Sequence, residues 1–303
     1  MDWRERLRGD SAADVAALDE ALGVVLRDRE LVAALVDPRG PLFQRLEYVG
    51  DSILDAVVVR ELVARDDWSS TSLARLSAGQ QALVSDHALG RVASRRGLPA
   101  VRTFPASPRR LGDRIEAAIG AAWADRGLAA AEQLALRLVV EPALGRAAPE
   151  PAVPEGPGDL DAETAVTVLG HGVRSSSWFG AAARPGPVQR RLAVVGDAVL
   201  EAACSMAQYV DQPLDSEAEL SDQRRGELAN GALAARARDL GLVGDGSADS
   251  RVVADRIQAL VGAATYDGGL ASGVNVACGV LGRTLALGPL QRVPPTGEAG
   301  TGQ

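Results

Sequence analysis

The sequence predicts an all-α protein made of two similar helical domains. Apolar residues recur at spacings of three and four along most of the chain, as they do in amphipathic helices. The alternation of apolar and polar residues that marks a half-buried strand does not stand out. Two motifs each occur twice and in the same order, which indicates that two related domains were joined in one polypeptide.

The apolar periodicity predicts six helices in the first half of the chain. They cover residues 16–35, 45–64, 73–83, 88–96, 110–126 and 129–139. Gly97 is predicted to end the fourth helix, because a glycine just past a helix can adopt the left-handed conformation that closes it. We assign residues 1–140 to a first domain.

A linker and a second domain are predicted for the rest of the chain. Residues 141–160 are rich in Pro, Gly and Ala and have no periodic apolar face, which is typical of a connecting segment. Helical periodicity resumes in a second domain, residues 161–288, with helices predicted at 190–210, 217–240, 252–267 and 271–285. Residues 289–303 contain much Gly, Pro and Thr and are predicted to form a flexible tail.

The repeated motifs differ at their acidic positions. The first reads RLEYVGDSIL at residues 45–54 and RLAVVGDAVL at residues 191–200, with six of ten positions identical, and Ala193 replaces Glu47. The second reads GDRIEAAIG at residues 112–120 and ADRIQALVG at residues 254–262, where Gln258 replaces Glu116. A third block lies between the motifs in both halves and recurs at an offset of 144. Each acidic motif has therefore lost one carboxylate in its second copy.

The acidic residues of the first copies predict a metal site. Glu47 and Asp51 are four residues apart, and Asp113 and Glu116 are three apart, so each pair shares one face of its helix. Their neighbours are too apolar for a purely solvated face, and partly buried carboxylates need a compensating charge. A hard divalent cation bound through oxygen supplies that charge. We therefore predict a site for Mg²⁺ or Mn²⁺; a solvated acidic surface is the alternative.

A glycine stands at the same place in both copies of the first motif, as Gly50 and Gly196. Glycine inside a helix costs about 1 kcal/mol relative to alanine. Its presence in both copies predicts that another helix or a substrate backbone approaches closely at this point.

The charge balance excludes a protein that holds nucleic acid by bulk electrostatics. The 303 residues carry a net charge of −8, and all 32 basic residues are Arg. Contact with nucleic acid is therefore expected to depend on a local Arg-lined groove and on metal ions.

The cysteines and the apolar segments predict a cytoplasmic protein without a membrane partner. Cys204 and Cys278 have apolar helical surroundings and are predicted to be reduced core residues. Charges interrupt the N-terminal stretch from Asp2 to Asp19, so no signal-peptide core is expected. No apolar run has the length of a membrane span.

The acidic motifs resemble those of the ribonuclease III family. RLEYVGDSIL is similar to the signature helix of that family, and GDRIEAAIGAAWADRGL is similar to its second acidic helix with the Asp-x-Gly-Leu turn that follows. LARLSAGQQALVSDHALGRVASRRGL resembles the family's middle helices. The resemblance covers residues 18–138, where both acidic motifs occur, and residues 162–285, where it rests on register and element order.

This resemblance implies an all-helical endonuclease domain that dimerises and cleaves double-stranded RNA. It implies that the catalytic and metal-binding residues are Glu47, Asp51, Asp113 and Glu116. Mg²⁺ or Mn²⁺ held there would activate water for attack on phosphorus. The matching positions of the second domain are Ala193, Asp197, Asp255 and Gln258, which make a poor metal site.

From these differences we expect an intramolecular pseudodimer of ribonuclease III-like domains in a monomeric chain. One active site would then nick one strand of double-stranded or structured RNA. Homodimerisation through the first domains is the alternative to a monomeric chain.

Three departures from the family pattern concern substrate positioning more than metal binding. Gln44 stands where the family opens its signature with Glu, and the preceding segment DPRGPLFQ is shorter than usual. Asp86 stands where the family commonly has Asn, which the second copy keeps as Asn230. We also expect no separate double-stranded-RNA-binding domain after Leu285, so RNA affinity would come from the nuclease groove or from a partner.

Two other functions stay open on the sequence alone. The acidic charge, the expected lack of a separate binding domain and the degenerate second copy are compatible with an RNA-binding or scaffold protein whose catalysis has faded. The fold is also compatible with recruitment to a small-molecule reaction, although no motif points to one.

Overall fold

The computed structural model describes residues 18–36, 38, 40–65, 72–98, 107–146, 148, 174–242 and 249–290. The regular structure within these ranges is helical throughout, which confirms the predicted all-α fold class. None of the helices in this part of the chain combines the length and apolar character that a membrane span requires.

The helices form two sets. The first helix set comprises α1 (Arg29–Val36), α2 (Pro41–Arg65), α3 (Leu73–Val84), α4 (Asp86–Arg95), α5 (Pro108–Arg126) and α6 (Leu128–Ala135). A π-helical turn, Leu136–Val140, and a short helical turn, Glu141–Leu144, continue α6 without a break. The second helix set comprises α7 (Ser176–Ala183), α8 (Pro187–Asp211), α9 (Glu217–Glu227), α10 (Asn230–Asp239), α11 (Ser250–Gly268) and α12 (Leu270–Leu281).

The two long helices of one set have the same lengths as their counterparts in the other. Helices α2 and α8 both have 25 residues, and α5 and α11 both have 19. Both of the latter end at a glycine with φ near +86°, namely 87° at Gly127 and 85° at Gly269. Two residues before each glycine, Asp125 and Asp267 accept hydrogen bonds from two successive backbone amides. The internal repeat is therefore a repeat of local structure as well as of sequence.

Glycines set the crossing of the long helices within each set. A Cβ at Gly50 would lie 1.8 Å from the carbonyl oxygen of Glu116, and a Cβ at Gly120 would lie 2.1 Å from that of Leu46. At the matching crossing of α8 and α11, a Cβ at Gly196 would lie 1.7 Å from the carbonyl oxygen of Gln258. Backbones that touch in this way leave no room for a side chain, so the structure confirms the close helix approach predicted from the repeated glycine.

Buried polar contacts join the two sets where α2 packs against α8. The guanidinium of Arg45, which is 4% exposed, donates to the carbonyl oxygens of Tyr209 at 2.7 Å, Gln212 at 2.7 Å and Asp215 at 2.9 Å. Arg45 therefore caps the C-terminal end of α8 with a positive charge. The Tyr48 hydroxyl donates to the side-chain oxygen of Gln208 at 2.6 Å.

Buried aromatic residues also pack at the interface between the two sets. Trp123 of the first set meets Tyr209 of the second in an edge-to-face contact with ring centroids 5.4 Å apart. Trp178 stacks on Tyr266 at 5.1 Å, and the Tyr266 hydroxyl donates to the Arg60 carbonyl oxygen at 2.9 Å. These buried rings link the two sets into one continuous core.

The first predicted helix, residues 16–35, is wrong as a single element. Within the described part, a helix ends at Gly23, whose φ of 59° is left-handed, and α1 begins six residues later at Arg29. The amides of Arg27 and Asp28 in the intervening segment donate to the Asp125 carboxylate at 2.9 and 3.1 Å. Helical apolar spacing continues across this break, which is why periodicity alone did not reveal it.

The prediction of one helix at residues 217–240 is also wrong. Helix α9 ends at Glu227, and Ala229 has an extended ψ of 141° before α10 begins. In the first set the matching break was predicted correctly, between α3 and α4, and has Ser85 at the helix boundary. Ala229 offers no capping side chain, so the second break lacks the N-cap signal that Ser85 gives to the first.

The predicted linker and tail are only partly described. Residues 141–144 form a helical turn, so helix extends into the start of the predicted linker, and residues 149–173 lie outside the described part. At the other end, the Leu290 amide donates to the Ala124 carbonyl oxygen, and the Leu128 amide donates to that of Leu287, both at 2.9 Å. The start of the predicted flexible tail thus packs on the first set, and residues 291–303 lie outside the described part.

Candidate metal centre

Three of the four predicted site residues form one cluster. Glu47 projects from α2, while Asp113 and Glu116 project from α5, and each offers a carboxylate oxygen within 4.8 Å of the other two. All three side chains are half-buried. Among the described residues, this is the one group of three or more potential ligand side chains that meets these distances. The glycine crossing of α2 and α5 brings the acidic faces of the two helices together.

Burial and repulsion from neighbouring acids raise the pKa of every carboxyl group in the cluster. Burial is the main cause at Glu47, whose pKa rises to about 8, with Asp113 next. Burial, Asp51 and Glu47 raise the pKa of Glu116 to about 9. The pKa of Asp113 is also raised, mainly by burial. Raised pKa values show that the ionised carboxylates have too little positive charge near them, so the groups hold protons at neutral pH. A divalent cation would supply that charge.

Asp51, the fourth predicted residue, lies beside the cluster without belonging to the three-residue group. It is one turn beyond Glu47 on α2 and is the carboxylate that most raises the pKa of Glu116. Burial and Asp55 raise the pKa of Asp51 itself to about 7. The acidic face of α2 therefore extends over at least two turns.

Two acidic residues near the cluster, Asp55 and Glu217, were missed from the sequence. Asp55 continues the spacing of Glu47 and Asp51 by four more residues, so helical periodicity could have identified it. Glu217, at the start of α9, raises the pKa of Glu47 and Asp51. It belongs to the second set, and no local pattern predicts an approach across the interface. Arg109, exposed at the start of α5, opposes the rise at Glu47 and Asp113.

The second set contains a neutralised counterpart of this centre. The Gln258 amide nitrogen donates to a carboxylate oxygen of Asp197 at 2.6 Å. Burial and then Glu201 raise the pKa of Asp197 to about 6, and the bond from Gln258 opposes the rise. Ala193, buried at the position of Glu47, offers no ligand. A glutamine that donates a hydrogen bond replaces a carboxylate that would repel.

The fold and the site together define an all-helical protein with a carboxylate cluster of the kind that binds divalent cations. The model of the Ribonuclease III domain family matches residues 44–127, a range that contains all four predicted site residues. The match falls within the first helix set.

Curated relatives extend this likeness. The chain is 34% identical to Ribonuclease 3 from Thermobifida fusca (strain YX) over 177 residues, 53% of this chain and 72% of the relative. It is 33% identical to Ribonuclease 3 from Phenylobacterium zucineum (strain HLK1) over 144 residues, 42% of this chain and 59% of the relative. The chain belongs to the ribonuclease III family. It spans less than two thirds of the length of several curated relatives that it matches.

A solved structure shows the same fold over most of the chain. The crystal structure of Dicer from Giardia intestinalis matches with a TM-score of 0.58 at 15% identity, over 81% of this chain and 56% of the Dicer chain. Since 81% is more than either helix set contributes, the fold similarity extends over both.

Proposed function

We propose that this protein is a divalent-metal-dependent endoribonuclease that acts on double-stranded or structured RNA through a single active site. The observation that carries this proposal is the difference between the two helix crossings. The first crossing gathers Glu47, Asp113 and Glu116 within 4.8 Å, whereas the second offers Ala193 and a Gln258 already bonded to Asp197. One site that can hold a metal ion, in a chain of this family, supports cleavage of one strand.

The donor set fits Mg²⁺ or Mn²⁺. Its ligands are carboxylate oxygens, which hard divalent cations prefer, and their raised pKa values indicate an uncompensated negative charge. A bound ion would lower the pKa of a water molecule and offset charge that develops on the phosphate. Glu47, Asp113 and Glu116 would hold it, and Asp51 would accept a hydrogen bond from water or complete the ligand set.

Basic residues beside the cluster suit an RNA backbone. Arg109 is exposed at the start of α5 and lies close enough to Glu47 and Asp113 to lower the pKa of each. A guanidinium next to a metal site can contact a phosphate oxygen and position the strand. With a net charge of −8, the protein would depend on such local contacts, so its RNA affinity should fall steeply as the salt concentration rises.

The two helix sets would act as an intramolecular pseudodimer. The contacts of Arg45 and Tyr48 with α8 and the loop after it support this arrangement, in which the second set would occupy the position of a partner subunit. The second set then completes the groove without cutting.

Strand-specific labelling tests the one-site proposal. A duplex RNA with a different end label on each strand is incubated with Mg²⁺, and products are followed within a single binding event. We expect one strand to be nicked. Asp113→Asn should abolish cleavage, while the matched variant Asp255→Asn should retain it, because Asp255 lies at the degenerate crossing. Equal cutting of both strands in one binding event would reject the model.

Oligomeric state must be measured in the same buffer. Sedimentation that gives the chain mass of 31.4 kDa supports a pseudodimer, whereas twice that mass supports pairing of the first sets. A homodimer would carry two complete centres, so it would also account for cutting of both strands.

A scaffold function is the main competing proposal, and the degenerate second crossing favours it. Calorimetric titration with Mn²⁺ separates the two: a protein that no longer cleaves RNA need not bind the ion, whereas the nuclease must. A small-molecule reaction has less support. A cleft of about 300 Å³ is lined by residues such as Arg60, Glu61 and Asp267 and by none of the four site carboxylates. Arg60 is already paired with Glu61 and Glu132.

A further inference from the structure

Arg224 reaches from the second helix set to the acidic helix of the first. It lies on α9, and its guanidinium donates to the hydroxyl of Ser205 on α8 at 2.8 Å and to the hydroxyl of Ser52 on α2. The two hydroxyls are themselves 2.9 Å apart. The guanidinium also lies over the ring of Tyr48, 4.9 Å from its centroid. Arg224 is thus held by hydrogen bonds to both sets and by a cation-π contact with the first.

The charge of Arg224 acts on the acidic face that begins at the metal centre. It lowers the pKa of Asp55, one turn beyond Asp51 on α2, and so opposes the effect of burial on that carboxyl group. Ser52, which it holds, directly follows Asp51 in α2. The same guanidinium therefore fixes the turn of α2 that carries Asp51 and supplies the positive charge that this turn lacks.

The contact of Arg224 with the opposite helix set has no counterpart at the matching position of the first set. At the offset of 144 that relates the middle helices, the residue of the first set that matches Arg224 is Gln80. Gln80 bonds to Asp55 within its own set and brings no charge. Likewise, Ser52 is matched by Ala198 at the offset of 146. An arginine of the second set thus contacts the first set, and no arginine of the first set makes the reciprocal contact at the matching position.

We propose that Arg224 is a positioning residue that the second helix set supplies to the active site of the first. This inference rests on the proposed nuclease function. Arg224 acts through Ser52 and Asp51, so the complete site needs residues from both sets. The second helix set then contributes to the active site as well as to the stability of the fold.

The test compares the turnover of three variants in the full chain. Arg224→Gln installs the residue that the first set carries at the matching position. Arg225→Gln is the control, because Arg225 is exposed on the same helix and pairs only locally with Asp222 among its described contacts, at 2.8 Å. Arg224→Lys keeps the charge but cannot reproduce the planar contacts. Each protein is assayed on labelled duplex RNA at saturating Mg²⁺ and compared per folded molecule.

We expect Arg224→Gln to lower kcat roughly tenfold to a hundredfold, since small misplacement of a catalytic group has effects of this size. KM for RNA should change less than about threefold, because Arg224 is committed to protein contacts and uniform binding is left intact. Arg224→Lys should fall between the wild type and Arg224→Gln. Arg225→Gln should stay within about twofold of the wild type, as exposed pairs contribute little.

A merely structural arginine would give a different result. It would lower the melting temperature while kcat per folded molecule stayed equal to that of Arg225→Gln, and this outcome would overturn the inference. If Arg224→Gln does not fold, Ser205→Ala replaces it, because that change removes one anchor of Arg224 and keeps the charge; unchanged kcat would again overturn the inference. An inactive wild type would overturn the proposed function, and the inference with it.

Discussion

Gln258 donates a 2.6 Å hydrogen bond to Asp197. At the matching helix crossing of the first set, Asp51 instead faces the carboxyl group of Glu116 and raises its pKa. The amide removes one negative charge and gives the remaining carboxylate a donor. The bond from Gln258 therefore limits the rise in the pKa of Asp197 at the second crossing, whereas the first crossing needs protons or a cation. Two differences, Gln258 in place of Glu116 and Ala193 in place of Glu47, thus separate the second crossing from the first.

Glu116→Gln should abolish cleavage and yet stabilise the metal-free protein. The change copies Gln258 into the first crossing, and it removes the carboxyl group whose pKa burial and four neighbouring acids raise to about 9. At pH 8 in a chelator we expect the melting temperature to rise by about 2–4 °C, the shift that about 1 kcal/mol produces in a chain of this size. Glu141→Gln, an exposed carboxylate, is the control and should change little. A lower melting temperature for Glu116→Gln would contradict the explanation.

The reverse change should rebuild a metal site in the second set. Ala193→Glu combined with Gln258→Glu restores the two missing carboxylates beside Asp197 and Asp255. Calorimetry with Mn²⁺ should then show one more bound equivalent than the wild type. Gln258→Glu alone is the control and should add no tight site, because Ala193 still supplies no ligand. A folded double variant with unchanged stoichiometry would show that position 193 or its surroundings prevent binding.

The sequence predicted the long helices and the meeting of their acidic faces for clear physical reasons. Helical spacing placed Glu47 with Asp51 and Asp113 with Glu116, and the repeated Gly50 indicated a close approach. The structure brings Glu47, Asp113 and Glu116 together; their catalytic roles stay predictions. These features are local, or are repeated in the chain, so the pattern of one segment was enough to reveal them.

The features that escaped prediction depend on contacts between distant segments. The break near Gly23 is fixed by Asp125, about a hundred residues away, through the amides of Arg27 and Asp28. Glu217 and Arg224 approach the first centre because α2 and α8 pack together. Periodicity reports the buried face of a helix and is silent about which helix covers it.

Without metal, stability should fall as the pH rises from about 5 toward 9. The folded-state pKa values of Glu47 and Glu116, about 8 and about 9, exceed the ordinary glutamate pKa of 4.5. The folded state therefore binds more protons than the unfolded state across this window, and removing them destabilises it. Mg²⁺ should raise the melting temperature more at pH 8.5 than at pH 5.5, because protons compete with the ion. In Glu116→Gln both dependences should weaken; an unchanged pH profile would exclude Glu116 as their source.

Arg45→Ala should destabilise the interface between the two helix sets. Arg45 donates to three carbonyl oxygens of the second set, and its loss leaves these buried or part-buried acceptors without their charged donor. We expect the free energy of unfolding to fall by about 2–4 kcal/mol, since hydrogen bonds to charged groups are worth about 1.5–3 kcal/mol each and are not additive. Urea unfolding measures the change. Arg225→Ala should cost less than about 1 kcal/mol, and an equal loss in both variants would contradict the role of Arg45.

Gly50→Ala should move the acidic faces of α2 and α5 apart and thereby lower cleavage activity. The new Cβ would lie 1.8 Å from the Glu116 carbonyl oxygen, so α2 and α5 must move apart, at a cost of about 1–3 kcal/mol for overpacking. Because Glu116 is itself displaced, cleavage should fall by roughly a hundredfold, as expected for misplaced catalytic groups. Gly226→Ala is the matched control: it is a helical glycine with no atom within 4 Å of the added Cβ, and it should gain about 0.4–1 kcal/mol. Full activity in a folded Gly50→Ala protein would show that the spacing of the two helices does not set the geometry of the site.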